Sequence, residues 1–181
     1  ERPAAKNALG RQLLSELEAA LEGLRQDGSV RVVVLHSLVP GVFCAGADLK
    51  ERAGMSPEEA TAFVDRLRGA FTALERLPMP VIAALEGAAL GGGLELALAC
   101  DLRVLGAEAK VGLPEVSLAI IPGAGGTQRL PRIIGRSRAK ELIFTARRLG
   151  ASEAQTFGLA DRVTEAGGAL ETAKALARQI L

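Results

Sequence analysis

The sequence predicts an α/β fold with largely parallel strand pairing. Three observations carry that prediction. Short apolar, β-branched runs alternate with helical patterns, no linker or low-complexity tract interrupts them, and apolar residues make up 49% of the 181 residues. That length suits one domain with its own core. The 21 glycines are separated by apolar runs, so they mark turns and close backbone approaches, not a disordered tail.

Taken in order, Leu9, Leu13, Leu14, Leu17, Leu21 and Leu24 recur at helical spacing, and Asp27-Gly28 ends that helix. Val30 to His36 fits a strand buried on both faces. His36, the sole histidine, closes it, and a structural role is favoured because no nucleophile lies nearby in sequence. Pro40 to Leu49 reads as a small-residue loop. Ser56-Pro57-Glu58-Glu59 is a capping box with proline at the first helical position. It launches a helix through Phe63, Val64, Leu67, Phe71 and Leu74 that stops near Pro78 and Pro80. Val81 to Leu85 is the next strand, Gly87 to Gly93 a turn, and a helix carrying Glu95 leads to a strand at Leu102–Leu105. Thr127–Ile134 and Ser137–Ala146 read as short helices divided by Gly135. Ser152-Glu153-Ala154-Gln155 reads as a second capping box, its helix ended by Gly158. Arg162-Val163 lies on a late strand, and Gly168 to Leu181 is helical.

Composition removes several function classes. A net charge of +1 gives no general reason to expect nucleic acid or an anionic membrane as partner. Cys44 and Cys100 sit in apolar stretches and read as small buried hydrophobes. Val81 to Cys100 imitates a membrane span, but Glu86, Glu95 and consecutive glycines make it strand, loop and buried helix instead. No signal or transit pattern is visible at Glu1, so any targeting segment is expected outside this chain.

The chemistry concentrates on two glutamates. Glu95 lies within Leu90-Gly91-Gly92-Gly93-Leu94-Glu95-Leu96-Ala97-Leu98, flanked by aliphatics. Glu115 follows Pro114, shortly before Ile120-Ile121-Pro122-Gly123-Ala124-Gly125-Gly126. A carboxylate in apolar surroundings loses hydration, so its pKa rises toward the range useful for proton transfer. Neither glycine loop has the Gly-Lys-Ser/Thr of a phosphate loop, and Gly91-Gly92-Gly93-Leu94-Glu95-Leu96 lacks the last glycine of a dinucleotide fingerprint. Spacing alone leaves two readings of the glycines. They expose backbone N–H donors near Ala45 and Gly92 as an oxyanion hole, or they merely allow tight strand-to-helix packing.

Arg2-Pro3, Asn7-Ala8-Leu9, Phe43-Cys44-Ala45-Gly46-Ala47-Asp48-Leu49, Leu90 to Glu95, Pro114-Glu115 and Ile121 to Leu130 together resemble the crotonase, or enoyl-CoA hydratase/isomerase, superfamily, in family order over nearly the whole chain. The resemblance implies a spiral of ββα turns and a coenzyme A thioester as ligand, with no further cofactor and no metal. It also implies homotrimers or hexamers. Glu95 and Glu115 match the family's two catalytic glutamates, whose joint retention favours hydratase over isomerase. The oxyanion donors carry over as the N–H groups of Ala45 and Gly92. Ala45, Gly46, Ala47 and Asp48 would line the thioester and coenzyme A. Lys50 and Arg52 could meet its phosphates, although exposed basic residues more often simply solvate a surface, and that reading is favoured. Asp48 alternatively holds its own loop.

Residues 1–181 read as one core domain, with family strands expected before it and a family helical segment after it that shapes the acyl pocket. The family also implies a mitochondrial setting, in fatty-acid or branched-chain amino-acid breakdown. Two rivals follow from the same resemblance. One is an inactive coenzyme A-binding paralogue. The other is RNA binding, known in a branch with a lysine-rich first helix; here that stretch reads Arg11, Glu16, Glu18, Glu22, Arg25, Asp27, which lacks the needed positive charge.

Overall fold

From β1 to β6, successive strands leave alternately for two sheets in the computed structural model, which describes residues 1–181. The elements run α1 (Arg11–Gln26), β1 (Val33–His36), β2 (Val42–Cys44), α2 (Leu49–Ala53), α3 (Pro57–Glu75), β3 (Val81–Leu85), β4 (Ala88–Leu90) and α4 (Gly92–Leu98). They continue as β5 (Leu102–Gly106), β6 (Lys110–Gly112), α5 (Gly126–Ile134), α6 (Arg136–Thr145), β7 (Leu149–Gly150), α7 (Ala151–Thr156), β8 (Arg162–Thr164) and α8 (Ala169–Ile180). One sheet has the order β1-β3-β5-β8, all parallel; the other has β2-β4-β6-β7, parallel except for the final β6–β7 pair. The pairs β1–β2, β3–β4 and β5–β6 each feed one strand to each sheet before a helix follows, which is the expected spiral of ββα turns; in the last turn α7 separates β7 from β8.

Strand β3 shows why the layers hold. Every residue of Val-Ile-Ala-Ala-Leu is buried, and the strand lies between β1 and β5. Alternate side chains leave opposite faces. Val81, Ala83 and Leu85 join the main core, whereas Ile82 and Ala84 pack with Ala169 and Ala173 of α8. The small alanines let that helix approach closely. Glu86 then locks it, its carboxylate accepting from the N–H groups of Gly167 and Ala169 at the start of α8.

Several sequence expectations need correction. Residues 30–32 precede the first strand, and β1 is half-buried along its length because it is the edge of its sheet. The Pro40–Leu49 loop contains β2, and the Gly87–Gly93 turn contains β4; three-residue strands are too short to show periodicity. Ser152 caps nothing, since α7 starts one residue earlier with Gly150 as its cap. The Ser56 capping box is present in full: Ser56 Oγ accepts from Glu59 N at 3.2 Å and Glu59 Oε2 from Ser56 N at 2.9 Å. No helix is long and apolar enough to cross a membrane, because residues 81–100 divide into β3, β4 and α4.

Gly93 is the tightest link between the sheets and α4. A Cβ there would sit 2.2 Å from the carbonyl oxygen of Cys44 on β2, so backbone must move. Gly93→Ala is expected to destabilise by about 3 kcal/mol or more, at the upper end of overpacking effects. Gly69, in the middle of α3 with nothing within 4 Å, is its control. Gly69→Ala should stabilise by about 0.5–1 kcal/mol through helix propensity. Urea unfolding of both variants checks the contrast, and a Gly93→Ala protein as stable as wild type refutes it.

Candidate active site

The segment before α1 builds one wall of the site. Asn7, buried at φ 53°, donates from Nδ2 to Phe43 O at 3.1 Å and accepts from Arg2 N at 2.8 Å. Leu9 N donates to Gly46 O at 2.8 Å, and Asp48 N donates to Leu9 O at 3.1 Å. Arg2 pairs with Asp48 at 2.8 Å. Asp48 Oδ1 also caps α2, accepting from Lys50 N and Glu51 N. These backbone N–H bonds and Arg2 hold its carboxyl below the usual carboxylate range. Of the two sequence readings of Asp48, the loop-holding one is therefore observed, and Asp48 does not line the cleft.

The expected oxyanion donor at Ala45 is a correction. Ala45 N already donates to Lys6 O at 3.1 Å. Two residues on, Ala47 N makes no hydrogen bond within the protein, because the Leu9–Ala47 bridge uses Gly46 O and Asp48 N instead. Gly46 separates the two alanines at φ +97°, which reverses where the peptide groups point. A Cβ on Gly46 would meet Leu90 O at 2.7 Å, so only glycine lets this loop lie against the 90–92 turn. The free Ala47 N–H thus faces Gly92, whose Cβ position lies 3.8 Å from Ala47 N. Gly92 opens α4, and its N–H is one of the first-turn donors with no intrahelical partner.

Glu95 sits in the first turn of α4, a helix buried from Gly93 to Leu98, and is only 3% exposed. Its Oε1 accepts two backbone N–H groups, from Ala124 at 2.9 Å and Gly126 at 2.8 Å. A Cβ on Gly126 would come within 3.0 Å of that oxygen, so the glycine is needed for the approach. Oε2 is left without a protein partner. Burial raises the Glu95 pKa; the Gly126 and Ala124 N–H bonds, then the charges of Arg129 and Arg68, oppose the rise.

Glu115 begins a 3₁₀ turn, Pro114–Leu118, and is 8% exposed. It extends the inward series Val111 and Leu113. Its Oε2 is buried with no hydrogen-bond partner. Burial pushes its pKa up to about 7, and the charge of Glu95 adds to the rise. Two glutamates thus occupy different electrostatic settings: one is held by two peptide donors of the 123–126 loop, the other has a buried oxygen with no partner.

Ala45, Gly46, Ala47, Gly92, Glu95 and Glu115 line one cleft of about 700 Å³, together with apolar side chains such as Val64 and Ile121. Lys50 is exposed and does not line it; Arg52 does. A second cleft of about 640 Å³, between α1 and α3, is edged by the Glu18–Arg66 and Glu22–Arg25 ion pairs and contains no buried acid. Cys44 and Cys100 are both buried, as expected, and burial pushes their thiols up to about 11 and about 12. Sequence reasoning placed Ala47 only as a lining residue and missed its free N–H, and it missed Ala124 and Gly126, whose N–H groups hold Glu95. The glycine-rich run at 123–126 was the one visible signal for the last two.

The family model described as enoyl-CoA hydratase/isomerase matches residues 1–181. Methylglutaconyl-CoA hydratase, mitochondrial, of Mus musculus is 57% identical over 160 residues, covering 88% of this chain and 51% of the relative. Enoyl-CoA hydratase domain-containing protein 2, mitochondrial, of Bos taurus is 55% identical over 184 residues, covering 99% of this chain and 62% of the relative. The crystal structure of an enoyl-CoA hydratase from Bacillus anthracis superposes with a TM-score of 0.97 at 49% identity, covering 99% of this chain and 70% of that one. The chain spans about half to two thirds of the length of these curated relatives.

Proposed function

The chain belongs to the enoyl-CoA hydratase/isomerase family, and we propose that it adds water across the C2=C3 double bond of an α,β-unsaturated acyl-CoA. The observation that carries this reading is the pair of buried glutamates in one cleft, with Glu115 pushed up to about 7 beside a Glu95 held by two peptide N–H groups. Groups with environments that differ in this way divide into a base and an acid.

The thioester oxygen accepts from the N–H groups of Ala47 and Gly92, which stabilise the enolate-like charge that develops there. One such donor contributes roughly 3–4 kcal/mol to the barrier. Glu95 Oε2 takes a proton from water as its oxygen bonds to C3. Glu115, protonated, delivers a proton to C2. The product is a 3-hydroxyacyl-CoA, and the proton on Glu95 returns to Glu115 through solvent. Coenzyme A belongs to the substrate, and the reaction needs no separate cofactor or metal.

We read residues 1–181 as the catalytic core, in an assembly of trimers. The printed names of the relatives support a mitochondrial setting, and we propose fatty-acid or branched-chain amino-acid breakdown as the pathway. RNA binding through α1 is disfavoured, since Arg11 and Arg25 are both paired with glutamates.

The test is hydration of a panel of straight, branched and carboxylated enoyl-CoAs, followed by loss of the conjugated thioester absorbance. Turnover of at least one member is expected; coenzyme A binding with no turnover anywhere would mean an inactive paralogue. The profile of kcat/KM against pH should be bell-shaped, reporting the pair and not either group alone. Glu115 acts as acid only while protonated, so hydration falls as pH rises through about 7. Glu95 acts only when ionised, so the acidic limb lies above the ordinary glutamate value of 4.5. A rate still climbing well above pH 8 contradicts the assignment.

A further inference from the structure

We infer that Arg68 and Arg129 are positioning residues that clamp the 123–126 loop and thereby fix the peptide N–H groups holding Glu95, Arg68 from the cleft wall. Arg68, on α3, donates from Nε to Gly123 O at 3.1 Å. The carbonyl of Gly123 and the N–H of Ala124 belong to the same planar trans peptide, pointing opposite ways. Pulling that oxygen outward aims that hydrogen inward, onto Glu95 Oε1. Arg129, on α5, takes the next carbonyl, donating from Nη1 to Ala124 O at 3.1 Å. Arg68 thus grips the peptide that carries the Ala124 N–H, and Arg129 grips the next one, which lies between the two donors to Glu95.

Arg129 is built for this place. Its side chain is 10% exposed and is tied to Glu75 of α3 at 2.8 Å. Its Nε is buried without a partner, a cost that a simple helix-to-helix staple could avoid. A Cβ on Gly125 would lie 2.1 Å from Arg129 Nη1, so the guanidinium occupies space that only a glycine leaves open. Gly125 itself lies at φ +113°. Both arginines are also near enough for their charge to favour the Glu95 carboxylate. Loss of either guanidinium removes a nearby cation and loosens a donor, and both changes make Glu95 harder to ionise.

The kinetic arm of the test rests on the hydration reading; the spectroscopic arm does not. Arg68→Gln, Arg129→Met and Arg129→Lys are compared with wild type by kcat and KM across pH, and by ¹³C titration of the glutamate carboxyls in ligand-free protein. Arg68 is on the surface, and its variant should fold. The expected result is a kcat lowered about 10- to 100-fold, as for a slightly misplaced catalytic group, with KM changed by no more than about threefold. The acidic limb and the Glu95 carboxyl signal both move to higher pH, less in Arg129→Lys than in Arg129→Met. A Glu95 titration unchanged in Arg68→Gln and in whichever Arg129 variant folds overturns the inference, whatever happens to kcat. If wild type hydrates no enoyl-CoA, the functional reading fails and the carboxyl titration alone decides this one.

Discussion

Glu95→Gln and Glu115→Gln are each expected to lower kcat for enoyl-CoA hydration by about 10³-fold, within the range for losing one acid–base group. The amide of Gln keeps the shape but takes no proton from water and gives none to C2. KM should move little, because the thioester cradle of Ala47 and Gly92 is untouched. The double variant should be scarcely worse than either single one, since acid and base serve the same addition and neither is useful alone. Near-normal turnover in either single variant would remove that glutamate from the mechanism.

The Glu115 variant carries a second, opposite consequence. The folded protein binds the Glu115 proton more tightly than the unfolded chain does, with a folded value near 7 against an ordinary value of 4.5. The stability from the protonated form is therefore complete below about 4.5 and lost as pH rises through 7. At pH 8 the buried, unpartnered carboxylate is a liability, and the neutral amide is not. Glu115→Gln should accordingly raise Tm at pH 8 more than at pH 5, while abolishing activity at both. Thermal unfolding at the two pH values reads this directly; an equal or reversed difference would show that Glu115 is not held neutral. Stability lost to a bare acid is a mark of a site kept for chemistry.

Both glutamates were legible in the sequence because burial of a carboxylate leaves a trace there: charged letters inside aliphatic runs. The Ser56 cap and the span of β3 were legible for similar local reasons. What was not legible depends on backbone groups and long-range closure. Ala45 and Ala47 look alike in sequence, and the choice between them turns on whether Lys6 O or nothing faces the N–H. The clamp on Glu95 joins Arg68 to a carbonyl 55 residues away, which no side-chain pattern encodes. The division of strands between two sheets was hidden too, since β2 and β4 are three residues each and sit in glycine-rich stretches that read as loops.

Replacement of Gly92 separates the peptide donor from everything else the glycine does. Proline is tolerated at the first position of a helix, where its missing N–H is unpaired in any case, and Gly92 is the first residue of α4. A Cβ at this position overlaps only the end of Leu9, at 2.8 Å, which can turn aside at modest cost; Ala47 N and Gly46 Cα lie at ordinary contact distance, 3.8 and 3.9 Å. Gly92→Ala adds that Cβ and keeps the N–H; Gly92→Pro adds it and deletes the N–H. The ratio of their kcat values therefore isolates one oxyanion donor, and Gly92→Pro should be slower by about 10²–10³-fold, the usual loss for a single donor. Both variants should bind coenzyme A, and circular dichroism should show the same helix content. Equal activity would return the Gly91-Gly92-Gly93 run to the plainer explanation, that glycines there merely let α4 pack on β2. A loss confined to proline ties the turn to the charge that forms on the thioester oxygen, and with it the reason that Glu95 stands three residues further along the same helix.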